Sequence, residues 1–211
     1  MSLPELSLLE ARILAVLVEK ERTVPDTYPL SLNALQAGCN QKTSRDPVIT
    51  ASEAEILAAL DVLRGLSLVV ESSGSRVTRY AHNFGRVLQL PSQAVAVLTS
   101  LMLRGPQTAA ELRANTERLH RFADVSSVDA FLAELAERSA GALVVELPRA
   151  PGARENRWAH LLSGQPEIAA PTATSAAGAS PLAERVTKLE AQVAELTALV
   201  ARLRADLGDG D

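Results

Sequence analysis

The residues of this chain with the widest chemical repertoire are three histidines, one cysteine and a spread of arginines. His82, His120 and His160 lie far apart. The sequence contains no Gly-rich phosphate loop, no nucleophile elbow and no paired-histidine zinc motif. His82 and His160 occupy matching strand-end places in an internal repeat, which favours a hydrogen bond to backbone over the role of an active-site base. Cys39 has no second cysteine to pair with and stands at the end of an apolar helical stretch, so it reads as a small buried hydrophobe. No catalytic residue, cofactor-binding residue or metal ligand is expected, and the chain reads as a non-enzyme.

Two polar groups of residues fit nucleic acid better. Residues 40–47 form a polar segment in which Lys42 and Arg45 can meet phosphate while Asn40 and Gln41 approach base edges. The same residues equally fit a solvated loop whose Asn and Asp side chains serve their own backbone. The second group is Arg113, Arg118 and Arg121 on or after one helix, with Arg149, Arg154 and Arg157 on a later loop. Such loops touch the DNA backbone and minor groove, where arginine is favoured. Against this, the helices that would enter the major groove carry Glu53, Glu55 and Asp61 in one half and Asp129, Glu134 and Glu137 in the other, which phosphate repels.

These residues must be positioned by elements that repeat. Ile56-Leu57-Ala58-Ala59-Leu60 recurs as Phe131-Leu132-Ala133-Glu134-Leu135, and Leu68-Val69-Val70-Glu71 recurs unchanged as Leu143-Val144-Val145-Glu146. Tyr80-Ala81-His82 returns as Trp158-Ala159-His160 with three extra residues before it. Apolar periodicity predicts helices over 7–22, 31–39 and 52–64, then strands over 66–70 and 77–82 joined by a turn. Ser52 with Glu55 is a capping box. The second unit predicts helices over 92–104, 108–119 and 127–138, then strands over 143–147 and 157–161 with a longer loop between. Three helices and a terminal hairpin, twice, give a mainly α fold class with small β-hairpins: two tandem winged helix-turn-helix domains, residues 1–88 and 89–164.

Residues 165–179 are rich in Pro, Ala, Ser and Thr and read as a flexible linker. Over 180–207, Leu182, Leu189, Leu196 and Leu203 fill one heptad position and Val186, Val193, Val200 and Leu207 the other. Valine at one seam position with leucine at the other favours a parallel two-stranded coiled coil, hence a homodimer. The alternative is a helix folded back on its own chain.

Composition limits the partners. The chain has 211 residues, 47% hydrophobic and only 3% aromatic, so its cores are built from Leu, Val and Ala. Net charge is −4, and Lys and Arg nearly balance Asp and Glu through residues 1–164, so a DNA surface has to be a local patch. The single cysteine and the lack of a signal-like start fit a cytoplasmic protein, and no apolar run is long enough to span a membrane.

Several motifs carry a family resemblance: Glu19-Lys20-Glu21-Arg22-Thr23-Val24-Pro25, Tyr28-Pro29-Leu30-Ser31-Leu32-Asn33, Cys39-Asn40-Gln41-Lys42 and Arg45-Asp46-Pro47 in the first half. Leu103-Arg104-Gly105-Pro106-Gln107-Thr108, Glu111-Leu112-Arg113, Arg121-Phe122 and Trp158-Ala159-His160-Leu161 carry it through the second. Over residues 5–164 the chain resembles the YceH-like family of bacterial proteins. The resemblance implies a tandem winged-helix fold and a tail coil, and transfers no catalytic or binding residue, because that family has no established activity. The functional expectation is a dimeric DNA-binding or transcription-regulating protein, with a protein-interaction scaffold as the alternative.

Overall fold

Residues 11–18 run Ala-Arg-Ile-Leu-Ala-Val-Leu-Val, and residues 94–103 are nearly as apolar. A helix that is apolar on every side has to be covered on every side. In the computed structural model, which describes residues 4–72, 77–166 and Gln192, both stretches form central helices. Helix α1 (Leu8–Thr23) buries every residue from Ala11 to Val18, and α5 (Ser92–Arg104) buries every residue from Ala94 to Leu103. The two pack on each other, so one continuous hydrophobic core runs through both halves of the chain. Fully buried leucines such as Leu14, Leu17, Leu98 and Leu101 each contribute about 1.5–3 kcal/mol of apolar burial.

Around α1 lie the strand β1 (Leu30–Ser31), α2 (Leu32–Cys39), α3 (Glu53–Gly65), β2 (Val69–Ser72), β3 (Arg79–His82) and the short α4 (Phe84–Val87). Around α5 lie α6 (Ala109–Asn115), α7 (Val125–Ala136), β4 (Val144–Glu146) and β5 (Trp158–His160). The fold is therefore mainly helical with two small antiparallel sheets, one ordered β1-β3-β2 and one formed by β4 and β5. The sheets correspond residue by residue. Val69 faces His82 as Val144 faces His160, and Leu30 faces Tyr80 as Gln107 bridges to Trp158.

Local chemistry sets the boundaries. The Ser52–Glu55 capping box forms at the start of α3, and Ser7–Glu10 and Thr108–Glu111 do the same for α1 and α6. Each cap satisfies backbone donors that the first helical turn leaves open. Several bounds differ from the sequence reading by one to four residues, and three of them have a local cause. Helix α6 stops at Asn115, because the Thr116 hydroxyl bonds back to the Leu112 carbonyl and the chain turns. Helix α7 starts at Val125, because the Asp124 carboxylate accepts from the Ser127 N–H at 2.7 Å and makes Asp124 the cap. Strand β2 begins at Val69, because Ser67 takes a left-handed conformation (φ 60°) after α3 ends. Strand β1 and helix α4 carry no periodicity of their own and were not legible.

One glycine permits a close contact between α1 and α2. A Cβ on Gly38 of α2 would stand 2.6 Å from Val16 Cγ1 of α1, so only glycine lets these helices meet at this depth. The linker from residue 167 and the heptad seam of Leu182, Val186, Leu189, Val193, Leu196, Val200, Leu203 and Leu207 lie outside the described residues, as does the turn at 73–76. Among the described residues no helix is long and apolar enough to cross a membrane.

Burial gives the fold a pH dependence through His160. Burial pushes its imidazole down to about 4 from an ordinary value of 6.5, and Nδ1 has no hydrogen-bond partner. As pH falls below 6.5 the unfolded chain takes up a proton that the folded chain refuses until about 4. Stability is expected to fall across that window, by about 3 kcal/mol at most, and His160→Gln should flatten the profile. Urea midpoints at pH 7 and pH 5 check this; equal pH sensitivity in parent and variant refutes it.

Candidate nucleic-acid interface

The segment of residues 40–51 joins α2 to α3, and although most of it is exposed, Asn40, Gln41 and Arg45 are engaged by protein partners. Asn40 makes two bonds to the backbone of one residue: Nδ2 donates to the Ala51 carbonyl at 2.9 Å and Oδ1 accepts from the Ala51 N–H at 2.7 Å. This pair clamps the two ends of the segment together. Gln36 Nε2 adds a bond to the same carbonyl at 3.1 Å. Gln41 donates to the Thr43 carbonyl at 3.0 Å, and only Lys42 of the four sequence candidates is exposed without a partner among the described residues.

Arg45 is the clearest departure from a phosphate-binding role. Its side chain is fully buried, and its NH2 group stands 2.7 Å from Glu19 Oε2 of α1 while Nε donates to the Gly38 carbonyl at 3.3 Å. The guanidinium is thus spent inside the protein. Beside it, Arg12 of α1 is also wholly buried and donates to the Cys39 carbonyl at 3.3 Å and the Pro47 carbonyl at 2.7 Å. Burial, and then the neighbouring Arg45, push Arg12 below its ordinary value, while Arg45 has the Glu19 carboxylate as its counter-charge. Burial alone would raise Glu19; the hydrogen bonds and charge of Arg45, with Lys20, outweigh it and hold that carboxyl below its usual range. Sequence reasoning passed over Arg12, although an arginine inside the apolar run from Ala11 to Val18 was the available signal. Burial pushes the nearby Cys39 thiol up to about 12, in keeping with a buried, unreactive side chain.

The far side of the segment reaches the other half of the chain. The Asp46 N–H donates to the Leu103 carbonyl at 2.8 Å, and Arg104 donates to the Ser44 hydroxyl at 2.9 Å. The segment is therefore a brace from α1 and α2 to the end of α5.

The arginines of the second half divide into tied and untied. Arg157 donates to the Pro106 carbonyl at 2.6 Å and meets Glu111 at 2.8 Å, which fastens the strand β5 to the start of α6. Arg113 donates to the Ala123 carbonyl at 3.1 Å. Arg118, Arg121, Arg149 and Arg154 are exposed and carry no partner among the described residues. Arg149 and Arg154 stand on the loop between β4 and β5, and Arg118 and Arg121 on the turn between α6 and α7. Between those segments, α7 is acidic. Burial and then the charges of Glu155 and Glu146 push the Asp129 carboxyl up from its ordinary value.

Residues 6–153 match the family described as "Protein of unknown function, DUF480". The chain is 66% identical over 208 residues to a UPF0502 protein of Dechloromonas aromatica, covering 94% of this chain and 96% of the relative. It is 63% identical over 202 residues to a UPF0502 protein of Methylibium petroleiphilum, covering 96% and 84%. A UPF0502 protein of Burkholderia vietnamiensis is 60% identical over 216 residues, covering 98% and 91%.

The brace makes a stability prediction. Glu19→Gln keeps the side-chain shape but leaves the buried Arg45 without its counter-charge, and is expected to cost about 2–4 kcal/mol at pH 7. Because the Glu19 carboxyl is held low, its contribution is present above the unfolded value near 4.5 and is lost as pH falls below it. The gap between parent and variant should therefore narrow in acid. Equal urea midpoints at pH 7 would refute the brace.

Proposed function

The chain belongs to the DUF480 family of proteins of unknown function, and from that footing we propose that it is a non-enzymatic, cytoplasmic, dimeric tandem winged-helix protein that binds duplex DNA along the phosphate backbone. The order of elements supports the fold reading. Helices α1, α2 and α3 precede the hairpin β2–β3, and α5, α6 and α7 precede the hairpin β4–β5. In each half a third strand segment, Leu30–Ser31 or Gln107, pairs with the last strand from just before the second helix.

One observation carries the DNA reading: Arg149 and Arg154 stand on the β4–β5 loop with no ion pair or hydrogen bond among the described residues, when Arg12, Arg45, Arg79, Arg138 and Arg157 are all tied to protein oxygens. Arginines left free on a wing fit phosphate and the minor groove. The acidic surface of α7 opposes insertion of that helix into a major groove, so binding would rest on the loops and carry little base readout.

A second reading, a protein-interaction scaffold, is supported by other exposed residues. Leu57 and Val62 of α3 and Val70 of β2 are exposed large hydrophobics, and Glu53 and Asp61 stand on the same helix. Apolar and acidic groups together suit a protein partner better than DNA.

Duplex affinity measured by fluorescence anisotropy at several salt concentrations separates the two. The DNA reading expects log affinity to fall with log salt by roughly 0.9 per phosphate contact, and the Arg149→Ala/Arg154→Ala variant to have a slope shallower by about two. No detectable binding by the parent, or an unaltered slope, refutes it; a protein partner retained after nuclease treatment supports the scaffold. The dimer has its own test. If the heptad seam pairs two copies, deleting residues 180–211 converts a dimer to a monomer by light scattering while the helicity of residues 1–164 is kept. A dimer that survives the deletion places the interface elsewhere.

A further inference from the structure

A cleft of about 470 Å³ opens where the two halves meet, walled by α1, β3 and α4 on one side and by α5 on the other. Its size falls in the range of about 300–1,000 Å³ that holds small organic ligands. The floor is apolar, from Val18, Ala81, Val95 and Ala96. Arg22 at the end of α1 and Arg86 on α4 both line the same cleft. Gly85 shapes the wall: a Cβ there would stand 3.2 Å from Val95 Cγ2 and 3.4 Å from the Leu90 carbonyl, so α4 lies directly on α5 and holds Arg86 at the opening.

The charge balance is uneven. Arg86 is exposed and has no partner among the described residues, and Arg22 has only a distant approach of 3.8 Å to Glu21. Among the described residues the one carboxylate lining the cleft, Glu21, is already engaged by His82 Nε2 at 3.0 Å. That leaves two arginines lining the cleft with one carboxylate, Glu21, which lies beside Arg22 and is shared with His82. A polyphosphate would need more cations and would leave the floor uncovered. A neutral apolar molecule would leave the guanidinium groups unused.

We propose that this cleft binds a small amphipathic carboxylic acid, an aromatic or branched aliphatic body seated on the valine and alanine floor with its carboxylate between Arg22 and Arg86. Charge-assisted bonds from two guanidinium groups fix the orientation, and the apolar area supplies most of the attraction. Because the two walls come from different halves of the chain, an occupied cleft also ties those halves together and raises the thermal stability of the whole. This inference goes beyond the DNA reading and does not rest on it.

The test uses the full chain without DNA, and 1-naphthoate as the probe, with its neutral primary amide as the control, by isothermal titration calorimetry. A ligand of this size is expected to bind in the roughly millimolar range. The amide, and the Arg22→Gln and Arg86→Gln variants with naphthoate, are each expected to bind at least about fivefold more weakly. Ser92→Trp places a large ring at the exposed start of α5 that lines the cleft, and should abolish binding while leaving the arginines in place. Thermal melts of each variant confirm that it folds. The proposal is overturned by the absence of saturable binding in the parent up to about 10 mM, by equal binding of acid and amide, or by arginine or tryptophan variants that bind as the parent does. Duplex affinity, measured separately, can fail without affecting any of these outcomes.

Discussion

An arginine placed inside an apolar core has to be answered by oxygen atoms, and two such arginines organise the first half of this protein. Arg12 is met by the carbonyls of Cys39 and Pro47, and Arg45 by the carboxylate of Glu19 and the carbonyl of Gly38. Those acceptors sit on α1, on the end of α2 and on the segment that leads to α3. The two guanidinium groups therefore fix where that segment runs, and with it where α3 begins. A fully apolar replacement would pack without the cost of desolvating charge, but it would not specify which backbone oxygens come together. The path of the segment then delivers Asp46 and Ser44 to the end of α5, so a local electrostatic requirement becomes part of the joint between the halves.

The same unit, built twice, has been used differently in its two copies. His82 and His160 occupy the same place opposite a valine of the neighbouring strand. In the first copy Glu21 approaches the ring and Tyr28 accepts from its backbone N–H, which opens a polar wall onto the cleft. In the second copy the ring is enclosed and burial alone decides its protonation. Equivalent positions in a repeat share a backbone role, while side-chain chemistry follows whichever residues the other elements bring near.

A chain with 21 Lys and Arg and 25 Asp and Glu has little general attraction for an anion. Its arginines also serve widely as cross-links to carbonyl groups: Arg79 to Pro29, Arg138 to Leu88 and Arg157 to Pro106 each join segments about fifty residues apart. Among the described residues, the cations left without a protein partner fall in separate places: Lys42, the arginines of the β4–β5 loop and the α6–α7 turn, and Arg86 at the cleft.

The positions of every described helix but α4, the Ser52–Glu55 cap, the repeated strands and the membership in an uncharacterised family were legible in the sequence, because they depend on spacing within a few residues or on matching words along the chain. The all-round apolar character of residues 11–18 and 94–103 was an available signal for two central helices, whose full burial the structure shows. Which residues among the polar ones face inward was decided only by tertiary structure. Nothing local distinguishes Arg45, buried against Glu19, from Lys42, exposed three residues earlier, or Arg157, held by Glu111, from Arg154. Those fates depend on partners 26 and 46 residues distant, and on the pairing of α1 with α5 that sets the two copies against each other. The cleft has the same origin. Its arginines and its floor come from different elements, and no spacing along the chain records that they meet.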